Sequence, residues 1–134
     1  MHRFDDHAVS DAPVEEVWKL LYDPSRFPEW WQGLDAVERG AHEERGDYTA
    51  RLDGHPDVPV PQELRSDVSA GNVTVSCLHS DITFAWHLTP LDDGGTEITV
   101  QVEVPDDVAH LVAQQRDEMR GSLLALARLA GATA

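Results

Sequence analysis

Residues 106–130 place Val108, Leu111, Val112, Met119, Leu123, Leu126 and Ala130 at helical spacing, so that they form one apolar stripe. As a single helix this segment would extend roughly 37 Å. A stripe of that length cannot be covered by a loop or by one short helix, so it demands a broad apolar partner. Asp106 and Asp107 follow Pro105 and suit the positive end of a helix, Arg116, Arg120 and Arg128 lie further on, and Gly131 marks the expected stop. Gln115 falls within the stripe, either as a polar residue near a solvated edge or as an amide lining a pocket. Gly121 is expected on the opposite face, at a cost of about 1 kcal/mol relative to Ala.

The chain before this segment supplies the partner. Residues 3–10 alternate weakly and predict a first strand. From residue 34 the period is two, and strands are expected near 34–40, 47–53, 58–68, 72–79, 82–91 and 95–104. Turn chemistry separates them at Gly46, Gly54, Ala70-Gly71-Asn72 and Asp92-Asp93-Gly94-Gly95. Ile98, Val100, Val102 and Val104 share one face of the last strand, and Ile82, Phe84, Trp86 and Leu88 one face of the strand before it. Val73, Val75, Cys77 and His79 are grouped in the same way. Pro56, Pro59 and Pro61 cannot donate to a ladder, so that segment must begin at an edge or in a loop.

Size and charge narrow the functional classes. A chain of 134 residues fits one domain, 1–134, with enough material for a real core. The formal net charge of -15, with Lys19 the one lysine, repels phosphate backbones and anionic membrane surfaces. Nucleic acid is therefore not an expected partner. No apolar run is long enough for membrane insertion. The N-terminal residues lack a secretory core and Cys77 stands alone, so the expected location is cytoplasmic. A monomer or a homodimer is equally compatible with the sequence.

The stretch DAPVEEVWKLLYDPSRFPEWW (11–31) is the most informative local signal. Pro13, Glu15 and Glu16 suit a helix start, and Val14, Val17, Trp18 and Leu21 then lie on one face. Asp23-Pro24 ends this helix and caps a second short one through Trp31, which Pro28 should make irregular. The pattern of acid-Pro, an aromatic-Pro pair and a following Trp, together with ITFAWHLTPLDDGGTEITVQVEV (82–104), resembles the SRPBCC superfamily. That is the START and birch-pollen-allergen-like helix-grip group, with the closer likeness to its polyketide cyclase/dehydrase branch. The resemblance implies an α+β helix-grip fold. In it a curved seven-stranded antiparallel sheet wraps a long C-terminal helix, and two short helices lie between strands 1 and 2. It also implies a cavity between sheet and helix that takes lipids, sterols, polyketides or other largely apolar molecules. Some members catalyse cyclisation or aromatisation, and many only bind or carry.

Several residues are candidates for lining such a cavity. The resemblance puts Trp30 and Trp31 near its mouth, and each is alternatively an ordinary core residue. Trp86 can cap the core or stack on a planar ligand. Tyr48 alternates with Ala50 and Leu52 and can present its hydroxyl inward. Gln62, Gln115 and Met119 complete the expected ligand-contacting set. His79 has inward parity and can orient a carbonyl or move a proton, or simply be hydrogen-bonded at a strand end. Cys77 shares that face, as a wall residue or as a buried small apolar group. His87 should point outward. His2, His7, His42, His55 and His110 are scattered, and the seven histidines show no HxH or HxxxH pair, so neither a metal nor another cofactor is expected.

Aromatase/cyclases of this superfamily use an arginine in mid-sheet and a tyrosine soon after the second short helix. The arginine matches Arg65 here, while Leu34 stands at the tyrosine position and cannot donate a hydrogen bond. Simple alternation puts Gln62, Leu64 and Val68 inward and Arg65 outward, and a bulge near Pro59 or Pro61 would reverse that parity. If inward, Arg65 would anchor an enolate or carboxylate. His79 and Arg65 are thus the catalytic candidates. Three readings follow: a binding protein for a small, mostly apolar molecule; a cofactor-independent polyketide cyclase or aromatase using the same cavity; and an interaction module of the chaperone-activator type with a collapsed cavity. An open cavity of a few hundred Å³ separates the first two from the third.

Overall fold

The computed structural model describes residues 1–39 and 46–133. The end of the strand expected at 34–40, and His42, lie outside the described residues. The chain runs β1 (His2–Ser10), α1 (Val14–Leu21), a 3₁₀ segment Pro24–Glu29, then β2 (Leu34–Arg39), β3 (Asp47–Leu52) and β4 (His55–Asp67). It continues with β5 (Asn72–Cys77), β6 (Thr83–Pro90), β7 (Thr96–Val104), a second 3₁₀ segment Asp106–Leu111, and α2 (Val112–Thr133). The strands form one antiparallel sheet in the order β1-β7-β6-β5-β4-β3-β2. This is the α+β helix-grip architecture, with α1 and the first 3₁₀ segment between strands 1 and 2. No helix is long and apolar enough to cross a membrane among the described residues.

Alternation decides which sheet face is covered. Ile98, Val100, Val102 and Val104 are fully buried, as are Val73 and Val75, and Phe84, Trp86 and Leu88 nearly so. Met119, Leu123, Leu126 and Ala130 of α2 meet them. The helix lies closest to β1, with fewer approaches to β7. Ser10 Oγ donates to the Ala127 carbonyl at 2.8 Å, and Arg120 reaches both the Asp6 carboxylate at 2.7 Å and the His7 carbonyl at 3.1 Å. The helix is thus tied to one side of the sheet, and the β3–β5 side is left less covered.

The C-terminal helix differs from expectation at both ends. It starts at Val112, because Asp106–Leu111 forms a 3₁₀ turn with Val108 outside helical geometry (φ -121, ψ 25). Pro105 offers no side-chain cap, and the β-branched Val108 has little preference for helix. Val108 and Leu111 are only partly buried, unlike the stripe from Met119 onward. The helix also continues through Gly131 to Thr133, since Gly131 does not take the left-handed conformation of a terminating glycine. In α1 the buried residues are Val17, Leu20 and Leu21; Val14 and Trp18 are half-covered, and Trp18 stacks on Tyr22.

β4 starts three residues earlier than the prolines suggested. The ladder to β5 begins only at Gln62 opposite Cys77, so the stretch before it pairs with β3 alone. Pro61 points its backbone toward β5, where its carbonyl accepts from Leu78 N–H at 3.0 Å just past the ladder's end. Its missing N–H therefore breaks no bond with β3. β5 stops at Cys77, two residues early, because Leu78–Ser80 turns and Asp81 adopts a left-handed φ of 62°. Val68, expected inward, lies past the end of β4 and is exposed.

Candidate functional site

A cavity of 510 Å³ opens beside α2 on the less covered side of the sheet. Its floor is the inner face of β4 to β6, through Val60, Gln62, Cys77 and Phe84, with Ile82 just before β6. Trp31, Gly33 and Leu34 form one wall, and Leu111, Gln114, Gln115 and Glu118 form the other. Leu52, His55, Val58 and His79 are exposed and mark the rim.

The wall of residues 31–34 is built by the irregular 3₁₀ segment. Asp23 accepts from Ser25 N–H at 3.0 Å and starts it; Pro28 prevents a regular helix; Trp31 N–H donates back to the Phe27 carbonyl at 2.7 Å. The chain then docks on α2. Gln32 N–H donates to Ser122 Oγ at 2.9 Å, and that hydroxyl donates to the Glu118 carbonyl at 2.6 Å. The close approach has a steric signature. A Cβ on Gly33 would stand 2.1 Å from the Glu118 carboxylate, and one on Gly121 would stand 2.2 Å from Gln32 Oε1. Gly121 thus faces the 31–33 loop, not the open side of the helix.

The polar part of the floor crosses neighbouring strands. Tyr48 is the register partner of Gln62, and Gln62 of Cys77. Gln62 Nε2 donates to Cys77 Sγ at 3.3 Å, while Gln62 Oε1 is buried and has no partner. Burial pushes the Cys77 thiol up, against the opposing hydrogen bonds from Gln62 and Ser80, so it remains protonated. Burial likewise holds the Tyr48 hydroxyl well above 10, with the Cys77 thiol acting in the same direction. Glu118 is half-buried on the opposite wall. Desolvation raises its carboxyl above the ordinary range, the Gln114 amide opposes this, and the charge of Asp53 adds to it.

The sequence candidates divide. Trp31, Gln62, Cys77, His79 and Gln115 line the cavity. Trp30, Tyr48, Trp86 and Met119 are outside its lining and packed in the core. Trp30 is not at a mouth: its indole N–H donates to the Leu20 carbonyl at 3.0 Å, and its ring sits edge-on to Phe27 and Trp86. Trp86 is 1% exposed with its indole nitrogen unpartnered, and Tyr48 packs edge-on to Phe27 with its hydroxyl unpartnered. Met119 is wholly enclosed, under the helix and away from the cavity. His79 is on the rim, in the β5–β6 turn, not on the inner face of a strand. His87 points outward, its Nδ1 2.6 Å from Asn72 Oδ1.

Arg65 leaves the candidate set. Its side chain is 81% exposed and pairs with Glu63 at 2.6 Å on the outer face. The register does shift between Ala50 and Leu52, but this precedes Gln62, and alternation from there keeps Gln62 and Leu64 inward and Arg65 outward. Leu34 is buried and lines the wall. Glu118, Gln114, Asp53 and His55 were not anticipated. Glu118 and Ser122 follow Leu111 and Gln115 at spacings of four, three and four, the helical period that made Gln115 conspicuous. Asp53 belongs to the β3–β4 turn and His55 opens β4, and neither carries a comparable signal.

Comparison with known proteins agrees with this architecture. A family model described as polyketide cyclase / dehydrase and lipid transport matches residues 1–131. No curated protein matches by sequence. Among solved structures, the Zhui aromatase/cyclase from Streptomyces sp. R1128 superposes with a TM-score of 0.80 at 16% identity, over 96% of this chain and 93% of that one. A Thermobifida fusca protein gives 0.77 at 20% identity, covering 98% and 94%. A START superfamily protein from Mycobacterium smegmatis gives 0.71 at 10% identity, covering 96% and 99%.

Proposed function

The chain belongs to the polyketide cyclase / dehydrase and lipid transport family, and from that premise we propose that it binds a small, mostly apolar, ring-bearing molecule between the sheet and α2. The observation that carries this reading is the 510 Å³ cavity, of a size that encloses a compact organic molecule. Trp31, Phe84, Ile82 and Leu34 offer it apolar and aromatic surface, and burial of such area supplies about 25 cal/mol per Å². Gln62, Cys77 and Gln115 are the polar groups proposed to orient it, with His79 at the rim. An open cavity argues against the interaction-module reading, which needs a filled core.

Cyclisation or aromatisation of the bound molecule is the second reading. The half-buried Glu118 favours it, since a carboxyl with a raised pKa exchanges protons near neutrality more readily than an ordinary one. The lining pairs no acid with a base by hydrogen bond among the described residues, so binding is the reading preferred.

Titration with phenylnaphthylamine, a neutral fluorophore that brightens in apolar surroundings, tests the proposal. The unmodified protein should bind one probe per chain. Gln115→Trp, which fills the cavity from the helix side, should weaken binding by at least about tenfold. Arg65→Ala, on the outer face, should leave it unchanged. Equal binding by the Gln115→Trp protein would place the probe elsewhere and defeat the reading.

A further inference from the structure

Resting on the reading of the cavity as a ligand site, we infer that Gln62 selects a molecule carrying a neutral hydroxyl on a planar ring, a phenol or an enol, and accepts a hydrogen bond from it. Gln62 is 5% exposed, lies in the cavity floor, and has an oxygen with no partner. One of its two amide N–H groups donates to Cys77 Sγ at 3.3 Å. The atom left without any partner is the oxygen, an acceptor, and it calls for a donor. A ketone, an ether or a carboxylate has no proton to give. An ammonium donates, but its charge would have to leave water for a floor shared with Val60, Ile82 and Phe84. A hydroxyl meets both conditions.

The surroundings hold the acceptor in place. Gln62 is in the paired part of β4, opposite Tyr48 on one side and Cys77 on the other. The Cys77 thiol fixes the amide's rotation, and the thiol is itself kept neutral by burial. A buried acceptor that stays unmet when the wrong ligand binds loses more than the bond alone, because its desolvation is then uncompensated. Trp31 and Phe84, edge-on to each other at 5.0 Å, bound the space beside it and favour a flat partner over a flexible chain.

The test compares beta-naphthol, its methyl ether and naphthalene on the intact protein, with phenylnaphthylamine displacement as the common readout. Beta-naphthol should bind about tenfold more tightly than the ether, the size expected when a buried acceptor goes unmet. In Gln62→Met the two should bind alike, at the ether's level, with the fold checked by circular dichroism. The unmodified protein gives a second measurement: the Gln62 side-chain amide resonances should move with beta-naphthol and stay put with the ether. Equal binding of naphthol and ether, or tighter binding of the ether, overturns the hydroxyl assignment while leaving the cavity reading intact. Failure of all three compounds to displace the probe, or to bind at all, overturns both.

Discussion

Among single residues, Glu118 and Gln62 show how burial turns ordinary side chains into functional ones. The Glu118 carboxyl is raised by desolvation first and by Asp53 second. A carboxyl raised in the folded state favours folding while protonated; that contribution is complete below the ordinary glutamate range and is lost as pH rises through the raised value. Glu118→Gln removes this dependence. The stability of the natural protein relative to Glu118→Gln should therefore fall as pH rises above the ordinary glutamate range of about 4 toward neutrality. Urea denaturation of both proteins across that range measures it, and the difference cancels the lowered carboxyls of Asp67 and Asp106, which act in the opposite sense. A difference that stays flat or grows with pH would show that Glu118 is not penalised by burial. Parity made Gln62 a candidate from sequence, and the same rule put Arg65 outside. What parity could not state is that the Gln62 oxygen is left without a partner, for this depends on where Cys77 and the apolar floor stand around it.

At the level of elements, the contact between the 31–33 loop and α2 sets one wall of the cavity. Each side of it carries a glycine, Gly33 against the Glu118 side chain and Gly121 against that of Gln32, and the two should respond oppositely to the same change. Gly121 is inside a helix, where Ala is favoured by about 1 kcal/mol. The atoms that a new Cβ would meet are the far end of Gln32, an exposed side chain free to swing away. Gly121→Ala should raise the melting temperature by a few degrees. Gly33 has a φ of +85°, a conformation that L side chains rarely adopt, and its Cβ would meet Glu118. Gly33→Ala should lower the melting temperature, through strain of about 1 kcal/mol or more. Scanning calorimetry of the two variants checks both signs, and a fall for Gly121→Ala would mean that Gln32 is held more firmly than its exposure implies. The helical stripe revealed α2 but not its first turn. Periodicity cannot register the failure at Val108, where the local backbone leaves helical geometry without breaking the apolar spacing.

For the molecule as a whole, charge and curvature matter most. A formal net charge of -15 on a chain this small sets carboxylates against one another across the surface, and compaction brings them closer. Sodium chloride at about 0.5 M shortens the screening length to a few ångström, so the melting temperature should rise with salt. A melting temperature unmoved by salt would show that local ion pairs such as Arg3 with Glu103 and Arg120 with Asp6 already offset the repulsion. The strands and the face that each one covers follow from features repeated many times along the chain: alternation of period two, turn residues between the runs, and one long apolar stripe to be buried. Such signals are local and redundant, so the sequence by itself determined the grip of sheet on helix. The cavity was decided only in three dimensions. It exists because α2 is tied to the β1 side by Ser10, Asp6 and His7, and because a 3₁₀ turn delays its start. Trp30, Tyr48, Trp86 and Met119 are enclosed in the core while Trp31, Gln62 and Gln115 border the cavity, although alternation or helical spacing gives both groups the same inward sense. The physical reason is that period states which way a side chain points, whereas the space it points into is set by the position of elements far away in the chain.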